Sequence, residues 1–248
     1  MDNRIKEFAD MIKSSNSALF FGGAGVSTES GVKDYRSEDG LYNTVREYGV
    51  SPEVILSHSF FMRKPEVFYD FYYKYFLDSS PEPNNAHKAL AELEKMGKLS
   101  AVITQNIDGL HQKAGSKRVY ELHGTIAENR CYSCGKAFAT SDIAALKGGV
   151  PHCECGGIIK PRVVLYEEGL DDKVVNGAIN AIAKADLLIV GGTSLAVYPA
   201  ASFLRFFNGD KIVLINKGET AYDNMAKLIF RDSIGEVLKN ALDLVKIN

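Results

Sequence analysis

The sequence predicts an α/β fold, a doubly wound parallel sheet with a second, smaller domain, and three observations support this prediction. Short runs of valine, isoleucine and leucine alternate with stretches of helical periodicity, the pattern of strands that helices cover on both faces. Two segments, 36–85 and 126–160, interrupt the alternation, because the first is rich in aromatic residues and the second carries all four cysteines. A hydrophobic content of 46% over 248 residues is enough for one substantial core and a satellite domain.

The individual elements follow from local patterns along the chain. The N-terminal segment MDNRIKEFADMIK predicts an amphipathic helix, with Ile5, Phe8 and Ile12 on one face. The predicted strands are Ala18–Phe21, Ala101–Ile103, Val119–Leu122, Val163–Tyr166, Leu187–Val190 and Ile212–Ile215. Further helices are predicted at Ala86–Met96, Lys173–Lys184 and Ile234–Val245. The predicted large domain is therefore residues 1–35, 86–125 and 161–248, and the small domain combines a helical module, 36–85, with the cysteine-containing segment 126–160.

Charge and hydropathy exclude several classes of partner. The 29 Lys and Arg residues nearly balance the 31 Asp and Glu residues, so neither nucleic acid nor an anionic membrane is expected as a partner. The N-terminal segment lacks the apolar block and cleavage site of a signal peptide, and we expect a cytoplasmic protein. The charge-free stretch 187–204 contains Gly191, Gly192 and Pro199, which predict a strand, a loop and a helix start instead of a membrane span. The oligomeric state is not predicted.

A glycine-rich loop, FFGGAGVSTESG at 20–31, follows the first predicted strand. Glycines in this position let the backbone approach a pyrophosphate, whose charge the next helix N-terminus favours. Thr28 replaces the third glycine of G-x-G-x-x-G, and no strand ending in an acidic residue follows about twenty positions later. These departures disfavour a standard nicotinamide dehydrogenase. A tight strand-to-helix turn without a ligand is the alternative interpretation.

Polar residues follow two further predicted strands, in AVITQNIDGLH at 101–111 and YELHGT at 120–125. In a doubly wound fold, ligands bind where loops leave the carboxyl ends of the strands. Gln105, Asn106, Asp108 and His123 are therefore candidate site residues. An Asx turn that caps the next helix explains one such residue more easily than three close together.

The four cysteines form two close pairs, Cys131 with Cys134 and Cys153 with Cys155. Four thiolates in two pairs are typical of a tetrahedral zinc site, and a reducing cytoplasm argues against disulfides. The second pair is more tightly spaced than usual, so the adjacent His152 is an alternative ligand. A tetrathiolate site is closed, so we expect one structural zinc ion that takes no part in chemistry.

Six features in the same order resemble the sirtuin family of NAD-dependent protein lysine deacylases. They are GAGVSTESGVKDYR at 23–36, TQNIDGLH at 104–111, ELHGT at 121–125, the four cysteines, GTSLAVYPAA at 192–201 and LINKGETAYD at 214–223. The resemblance covers nearly the whole chain. It implies a large Rossmann-like domain and a small domain made of a helical module and a zinc ribbon. NAD, as co-substrate, and an acetyl-lysine protein or peptide would bind in the cleft between them.

The resemblance also implies which residues bind NAD. They would be Gly23, Ala24, Gly25, Thr28, Tyr35, Arg36, Gln105, Asn106, Ile107, Asp108, His123, Gly192, Thr193, Ser194, Asn216 and Asp232. Ala24, Gly25 and Thr28 would contact phosphates and ribose. Gln105, Asn106, Ile107 and Asp108 would line the nicotinamide and ribose pocket, and Thr193, Ser194 and Asn216 would hold the adenosine half.

The catalytic residues implied by the resemblance are His123, Asn106 and Asp108. The acyl oxygen would attack the anomeric carbon as nicotinamide leaves, and His123 would then help a ribose hydroxyl to attack the resulting alkylimidate. Its ordinary pKa of about 6.5 suits an imidazole that accepts a proton near neutrality. Asp108 would bind the nicotinamide carboxamide and Asn106 would position ribose or water. For His58, His87 and His152, a structural role is expected.

The peptide substrate would lie as an extended strand between a first peptide loop, 164–168, and a second peptide loop, 196–198. The implied contact residues are Val164, Tyr166, Val197 and Tyr198. Several residues depart from the family pattern: Lys33 and Tyr35 in the first nucleotide loop, Tyr166-Glu167-Glu168 for Phe-Gly-Glu, and Arg231 and Ser233 for glycine and alanine. Glu167 adds charge beside the channel, which suggests the hypothesis that basic residues flanking the modified lysine are preferred.

The segment GLYNTVREYG bears on the choice of acyl group. In sirtuins that accept acidic acyl groups, a tyrosine and an arginine stand three positions apart. Tyr42 and Arg46 stand four apart, so acetyl and other neutral acyl groups are expected.

The sequence therefore predicts an NAD-dependent protein lysine deacetylase, which transfers the acyl group of acyl-lysine to ADP-ribose and releases nicotinamide. A mono-ADP-ribosyltransferase stays open as an alternative, because the same chemistry can use a protein side chain as acceptor. A non-catalytic NAD-binding regulator or a zinc-ribbon nucleic-acid binder is a further alternative. The polar neighbours of His123 disfavour the regulator, and the balanced charge disfavours nucleic-acid binding.

Overall fold

The computed structural model describes residues 2–34, 45–78, 80–146 and 148–247. Its strands are β1 Ala18–Gly22, β2 Leu99–Thr104, β3 Val119–Glu121, β4 Gly124–Cys131, β5 Ala137–Ala139, β6 Ile159–Val163, β7 Leu187–Gly191, β8 Ile212–Ile215 and β9 Leu228–Phe230. Six of them form one sheet in the order β3-β2-β1-β7-β8-β9, and every neighbouring pair is parallel. This confirms the predicted parallel sheet.

The four longest helices begin directly after a capping side chain. The helices are α1 Asn3–Ser14, α2 Val45–Tyr48, α3 Pro52–Ile55, α4 His58–Arg63, α5 Pro65–Tyr72, α6 Asn85–Lys95, α7 Leu110–Ala114, α8 Thr140–Ala144, α9 Asp172–Lys184 and α10 Ile234–Lys246. Asp2, Asn84, Asp171 and Ser233 precede the four longest of these, and each accepts a hydrogen bond from a backbone N–H in the first turn. A π-helical turn, Tyr73–Leu77, continues α5.

The sheet separates two apolar cores, as a doubly wound fold requires. On one face α1, α6 and α10 pack against Phe20 and its neighbours. On the other face α9 and the 3₁₀ segment Ala200–Phe206 pack against Leu19 and Phe21. All five residues of β1 are buried, because alternate side chains enter opposite cores.

A third core joins the two segments that interrupt the α/β alternation. The buried aromatic side chains of this core, Phe61, Phe68, Tyr69, Phe71 and Tyr72, come from α4 and α5. They share it with Ile159 and Val163 of β6, which belongs to an antiparallel sheet of order β5-β4-β6. The helical and cysteine-containing segments therefore pack together. The exact domain boundaries stay a prediction, since β4 and β6 run across residues 125–126 and 160–161.

The predicted strand Val163–Tyr166 is wrong, because these residues do not form a strand of the large parallel sheet. β6 ends at Val163 and pairs with β4 in the small sheet, and residues 164–166 continue between the two domains. Tyr166 forms only an isolated parallel bridge with Ser57. An apolar run indicates that a segment is buried, but it does not indicate which strand the segment pairs with. The sequence alone therefore does not distinguish the two sheets.

The charge-free stretch 187–204 becomes β7, a loop and the start of the Ala200–Phe206 segment, as predicted. Within the described ranges, no helix combines the length and apolarity needed to cross a lipid bilayer.

Candidate active site

The loops after β1 and β7 touch through glycine backbones, which we name the glycine cradle: Gly23, Gly25 and Gly192. The N–H of Gly25 donates to the carbonyl of Gly192 at 2.8 Å. A Cβ on Gly25 would lie 2.8 Å from Gly192 Cα, and a Cβ on Gly23 would lie 2.9 Å from Thr193 Cβ. Gly192 also has a φ of +60°, which disfavours any side chain. The approach therefore requires glycine, and it packs together the loops at the carboxyl ends of two adjacent strands.

Other predicted nucleotide-binding residues lie in the same two loops. Ala24 opens a one-turn 3₁₀ helix, and the Thr28 hydroxyl donates to the Gly25 carbonyl at 3.0 Å. Thr193 and Ser194 follow Gly192 in the loop after β7.

Ser27 links the polar residues that follow β2. Its Oγ lies 2.7 Å from Asp108 Oδ2, and Asn106 Nδ2 donates to Ser27 Oγ at 3.0 Å. Because the amide nitrogen of Asn106 can only donate, Ser27 accepts that bond and donates its own proton to Asp108. The other oxygen of Asp108 accepts the N–H of Leu110 at 2.9 Å, at the start of α7. Asn106 and Asp108, predicted as catalytic, are thus brought together by a residue that the sequence did not single out.

Two fully buried histidines lie behind Ser27. The N–H of Asn84 donates to His87 Nδ1 at 3.3 Å, so the ring proton is on Nε2, which lies 3.5 Å from Ser27 Oγ. The ring centroids of His87 and His111 are 4.8 Å apart. Burial lowers the pKa of His87 to about 4, and burial with the proximity of His87 lowers the pKa of His111 to about 3. Both rings are therefore neutral at neutral pH, and His87 lies closer to the site than its expected structural role suggested.

His123, directly after β3, is held by one backbone carbonyl. Its Nδ1 lies 2.9 Å from the Gln105 carbonyl oxygen, which can only accept, so the proton is on Nδ1 and Nε2 presents a lone pair. Burial lowers the pKa of His123, and the bond to Gln105 opposes this in part. The ring is therefore a neutral imidazole with one basic nitrogen at neutral pH.

Gln105 has a second feature that indicates a ligand. Its backbone N–H donates to the Gly22 carbonyl at 3.0 Å, which fixes the residue at the end of β1. Its buried side-chain Nε2 has no hydrogen-bond partner among the residues that the structure describes. Next to it, the Ile107 carbonyl accepts the N–H of Ile126 at 3.0 Å, and its side chain packs against the third core. The segment after β2 thus borders both domains.

The first peptide loop starts beside His123. The N–H of Val164 donates to the His123 carbonyl at 2.8 Å. Tyr166 exchanges backbone hydrogen bonds of 3.0 Å with Leu56 and His58 of the small domain, and its side chain is 41% exposed. In the second peptide loop, the Val197 carbonyl accepts the N–H of Ala201 at 3.0 Å, and Tyr198 is 75% exposed.

Arg231 organises the loop that follows β8, in which Asn216 is the first residue. One guanidinium nitrogen donates to the carbonyls of Asn216 at 2.9 Å and Gly218 at 2.7 Å. The other pairs with Asp223, whose carboxylate also accepts from Thr220. Arg231 appeared in the sequence only as a departure from the family pattern, so its role was missed.

The neighbours of Arg231 have different surroundings. Ser233 caps α10 and donates to Glu29 at 2.8 Å, and Glu29 also accepts the N–H of Gly235 at 3.0 Å. This contact joins the loop after β1 to the N-terminus of α10. Asp232, predicted to bind NAD, is 59% exposed in its side chain and lies 3.8 Å from Arg4.

Four predicted residues lie wholly or partly outside the described residues: Tyr35, Arg36, Tyr42 and the side chain of Arg46.

The four cysteines converge at one end of the small sheet. Their sulfur atoms lie within 4.8 Å of one another, with Cys131 and Cys155 3.5 Å apart and Cys134 and Cys153 3.7 Å apart. Ligands around a tetrahedral zinc with Zn–S bonds of about 2.3 Å are separated by about 3.8 Å. The N–H of Cys134 donates to Cys131 Sγ and lowers the pKa of that thiol to about 6, which favours a thiolate. The cluster fits a structural zinc ion.

The alternative zinc ligand, His152, is not part of this cluster. Its Nδ1 lies 2.9 Å from the Val150 carbonyl oxygen. The donor set in the described residues is therefore four thiols.

The sequence and the overall fold are similar to those of known proteins. The profile of the Sir2 family matches residues 23–199. An NAD-dependent protein deacetylase of Clostridium acetobutylicum is 53% identical over 241 residues, 97% of this chain and 98% of the relative. A solved Sir2 complex with a p53 peptide and NAD+ has a TM-score of 0.87 at 38% identity and covers 100% of both chains. A Sir2 variant with a deacetylated p53 peptide and 3′-O-acetyl ADP-ribose has a TM-score of 0.89 at 37% identity, covering 96% of this chain and 97% of that one.

Proposed function

This chain belongs to the Sir2 family and is an NAD-dependent protein deacetylase, and we propose that His123, Asn106 and Asp108 carry its chemistry. The acyl group of an acyl-lysine passes to ADP-ribose, and nicotinamide is released. The observation that carries the assignment is the tautomer of His123, whose Nδ1 proton is donated to Gln105 so that Nε2 is the basic atom.

We assign NAD to the carboxyl ends of β1, β2, β7 and β8. The glycines after β1 support this, because glycines directly after a parallel strand are typical of pyrophosphate-binding loops. Among the described residues, the buried Nε2 of Gln105 has no hydrogen-bond partner. Because buried polar groups are normally hydrogen-bonded, this supports a polar ligand group at the nicotinamide end. Asn216 after β8 is assigned to the adenosine half. Tyr35 and Arg36 are assigned by the family resemblance alone.

When bound, NAD supplies an anomeric carbon from which nicotinamide departs and to which the acyl oxygen is joined. His123 Nε2 accepts the proton of a ribose hydroxyl in the following step. The lowered pKa keeps the ring unprotonated at neutral pH, and the Gln105 carbonyl stabilises the imidazolium that forms.

Asn106 and Asp108 orient the reacting groups. Ser27 accepts from Asn106 and donates to Asp108, so both side chains are held before the substrate arrives. A polar pocket that needs no reorganisation during the reaction stabilises developing charge more effectively than mobile groups do. We propose that Asp108 binds the nicotinamide carboxamide and that Asn106 positions ribose or water.

The acyl-lysine peptide is proposed to pair its backbone with the first and second peptide loops. The bond from Val164 to the His123 carbonyl supports this, because it puts the first loop beside the proposed base. Main-chain pairing gives affinity with little demand on sequence. The four free thiols also fit a reducing compartment, and we propose a cytoplasmic location.

The proposed acyl preference is acetyl or another neutral group, from the four-residue spacing of Tyr42 and Arg46. Acetyl and succinyl versions of one peptide should differ in kcat/KM by at least about tenfold in favour of acetyl, the scale of one unpaired buried charge. Equal rates would contradict the preference.

The decisive experiment incubates the protein with NAD and an acetyl-lysine peptide and follows the products by mass spectrometry. We expect nicotinamide, deacetylated peptide and O-acetyl-ADP-ribose in equal amounts. His123→Ala should bind NAD and lose product formation by at least about a hundredfold, the scale of general base catalysis. Free acetate without the adduct, or label from the NAD adenylate on protein without lysine release, would contradict the proposal.

A further inference from the structure

The first peptide loop contains a residue in an unusual backbone conformation. Glu167 has a φ of +76°, in the left-handed region that side chains other than glycine, asparagine and aspartate seldom adopt. A residue with a long side chain in this conformation needs a compensating interaction.

The carboxylate of Glu167 contacts the small domain. Its Oε2 accepts the backbone N–H of Ser59 at 2.8 Å, and its Oε1 accepts the Ser59 hydroxyl at 2.9 Å. Ser59 lies in the first turn of α4, where a backbone N–H has no partner within the helix. The two bonds from Ser59 lower the pKa of Glu167, so the carboxylate is charged at neutral pH.

The next residue makes a second connection in the same direction. Glu168 Oε1 lies 2.9 Å from His58 Nδ1, and Oε2 accepts from Lys160 at 3.0 Å and from the N–H of Leu165 at 2.9 Å. The backbone of Tyr166 is bonded to Leu56 and His58. The contacts of Glu168 fix the loop mainly to His58 and Lys160, and the contact of Glu167 with Ser59 adds a separate attachment to α4.

We propose that Glu167 is a positioning residue, which holds the first peptide loop against α4 through Ser59 and so presets the edge that pairs with the peptide. This proposal rests on the proposed function, because it assumes that the loop binds the acyl-lysine peptide. It differs from the hypothesis of a charge that selects basic substrates, since both oxygens of Glu167 are directed at Ser59 donors.

Glu167→Gly removes both bonds and relieves the backbone strain. Fixing a mobile loop on binding costs affinity, so KM for the peptide should rise about fivefold to tenfold, with kcat and KM for NAD unchanged. Glu167→Gln retains one acceptor and should restore most of the peptide KM. Ser59→Ala should give a smaller rise, because the backbone N–H stays available. The double variant should match Glu167→Gly, since the partner of Ser59 is already absent.

The substrates separate this role from charge selection. Acetyl peptides with acidic and with basic flanks should lose kcat/KM by the same factor in Glu167→Gly. A loss confined to the basic-flanked peptide would overturn the positioning role in favour of charge selection. Glu82→Gln is the matched control, because it removes an exposed carboxylate that pairs with Lys113 elsewhere on the surface; it should leave all constants unchanged.

Hydrogen exchange tests the contact without activity. In Glu167→Gly, the amides of 164–169 and of 57–60 should exchange faster than in the parent protein, with the parallel sheet unchanged. Unchanged exchange in these segments would overturn the proposal. If the parent protein fails to deacetylate any peptide, the proposed function fails, and the exchange measurement still judges the contact.

Discussion

His123 is prepared for its role by a single backbone carbonyl. The Gln105 carbonyl determines which ring nitrogen carries the proton, and burial determines that the ring is neutral. Neither contribution comes from a charged partner. Such an imidazole accepts a proton without first breaking an ion pair.

The first prediction concerns the pH dependence of His123. Protonation of Nε2 removes the base, so kcat/KM should fall as the pH is lowered. The apparent pKa of this fall should lie below about 6.5, the ordinary value for histidine, because burial lowers the pKa of His123. Rates from pH 5 to 8 on a neutral acetyl peptide measure this, and circular dichroism at each pH controls for unfolding. An acid limb at or above pH 6.5 would contradict the assigned environment.

The second prediction concerns Arg231, which bonds to the loop of Asn216 and does not itself need to touch NAD. Arg231→Ala removes the bonds to two carbonyls and to Asp223. The KM for NAD should therefore rise about fivefold to tenfold, the effect expected from losing a charge-assisted hydrogen bond, with little change in kcat. The Arg231→Lys variant should show a smaller rise in the KM for NAD than Arg231→Ala, because the lysine ammonium can still reach one carbonyl.

Arg118→Ala is the control for this experiment. Its guanidinium also bonds to a backbone carbonyl, that of Ser100 at 3.3 Å, but on a different part of the chain. It should not change KM for NAD. A peptide KM that rises as much as the NAD KM in Arg231→Ala would refute a role specific to the nucleotide.

Among the secondary-structure elements, β4 and β6 depend most on the zinc cluster. Cys131 ends β4, and Cys153 and Cys155 precede β6, so one ion ties the ends of antiparallel neighbours together. Two of the sulfurs, those of Cys131 and Cys153, also belong to the third core. The metal therefore stabilises the small sheet and the helices packed on it.

The third prediction follows from this arrangement. Cys134→Ser should lower bound zinc from one ion per chain to near zero and unfold the small sheet, because three thiolates hold zinc much less tightly than four. Metal analysis and near-ultraviolet circular dichroism measure the two effects, and Tyr132→Phe is the control between the same ligands. Full activity in a zinc-free variant would exclude a structural role for the ion.

For the whole molecule, the buried pair His87 and His111 couples stability to pH. Both pKa values are lowered in the folded protein, to about 4 and about 3, so the unfolded chain binds more protons below about pH 6.5. The free energy of unfolding therefore falls as the pH falls from 6.5 toward these values. Each neutral ring contributes up to about 1.4 kcal/mol per pH unit.

The fourth prediction uses His111→Leu, which removes one of the two titrating rings. The slope of unfolding free energy against pH between 6 and 4.5 should decrease by about 1 kcal/mol per unit. Stability at pH 7 should change little, because neither ring nitrogen of His111 has a hydrogen-bond partner among the described residues. Urea titrations at several pH values measure both, and an unchanged slope would show that folding does not lower the pKa of His111.

Local patterns were sufficient for most elements of the large domain. Strands β1, β2, β7 and β8 and helices α1, α6, α9 and α10 lie within two residues of their predicted positions. Buried strands carry continuous apolar runs and surface helices carry a 3.6-residue period, and both signals are local. The three-residue strand β9 was missed, although the equally short β3 was predicted.

Local signals also determined which site residues the sequence could propose. Glycines after β1, polar residues after β2 and the histidine after β3 were proposed because each lies just beyond its own strand. Ser27 and Arg231 were not singled out as site residues, because each bonds to a partner in a different segment, Asp108 for Ser27 and Asn216 for Arg231. Hydrogen bonds between distant segments depend on which strands are neighbours in the sheet. The sequence of a single segment does not contain this information.

The linear order of motifs was thus enough to identify the family, the cysteine cluster and the candidate base, because these are properties of residue type and spacing. Three-dimensional packing alone decided the proton position on His123, the use of Glu167 as a contact to Ser59, and the place of residues 163–166 between two sheets. The physical reason is that hydrogen-bond direction and burial depend on atoms brought close by folding, whereas hydropathy and spacing are carried by each segment itself.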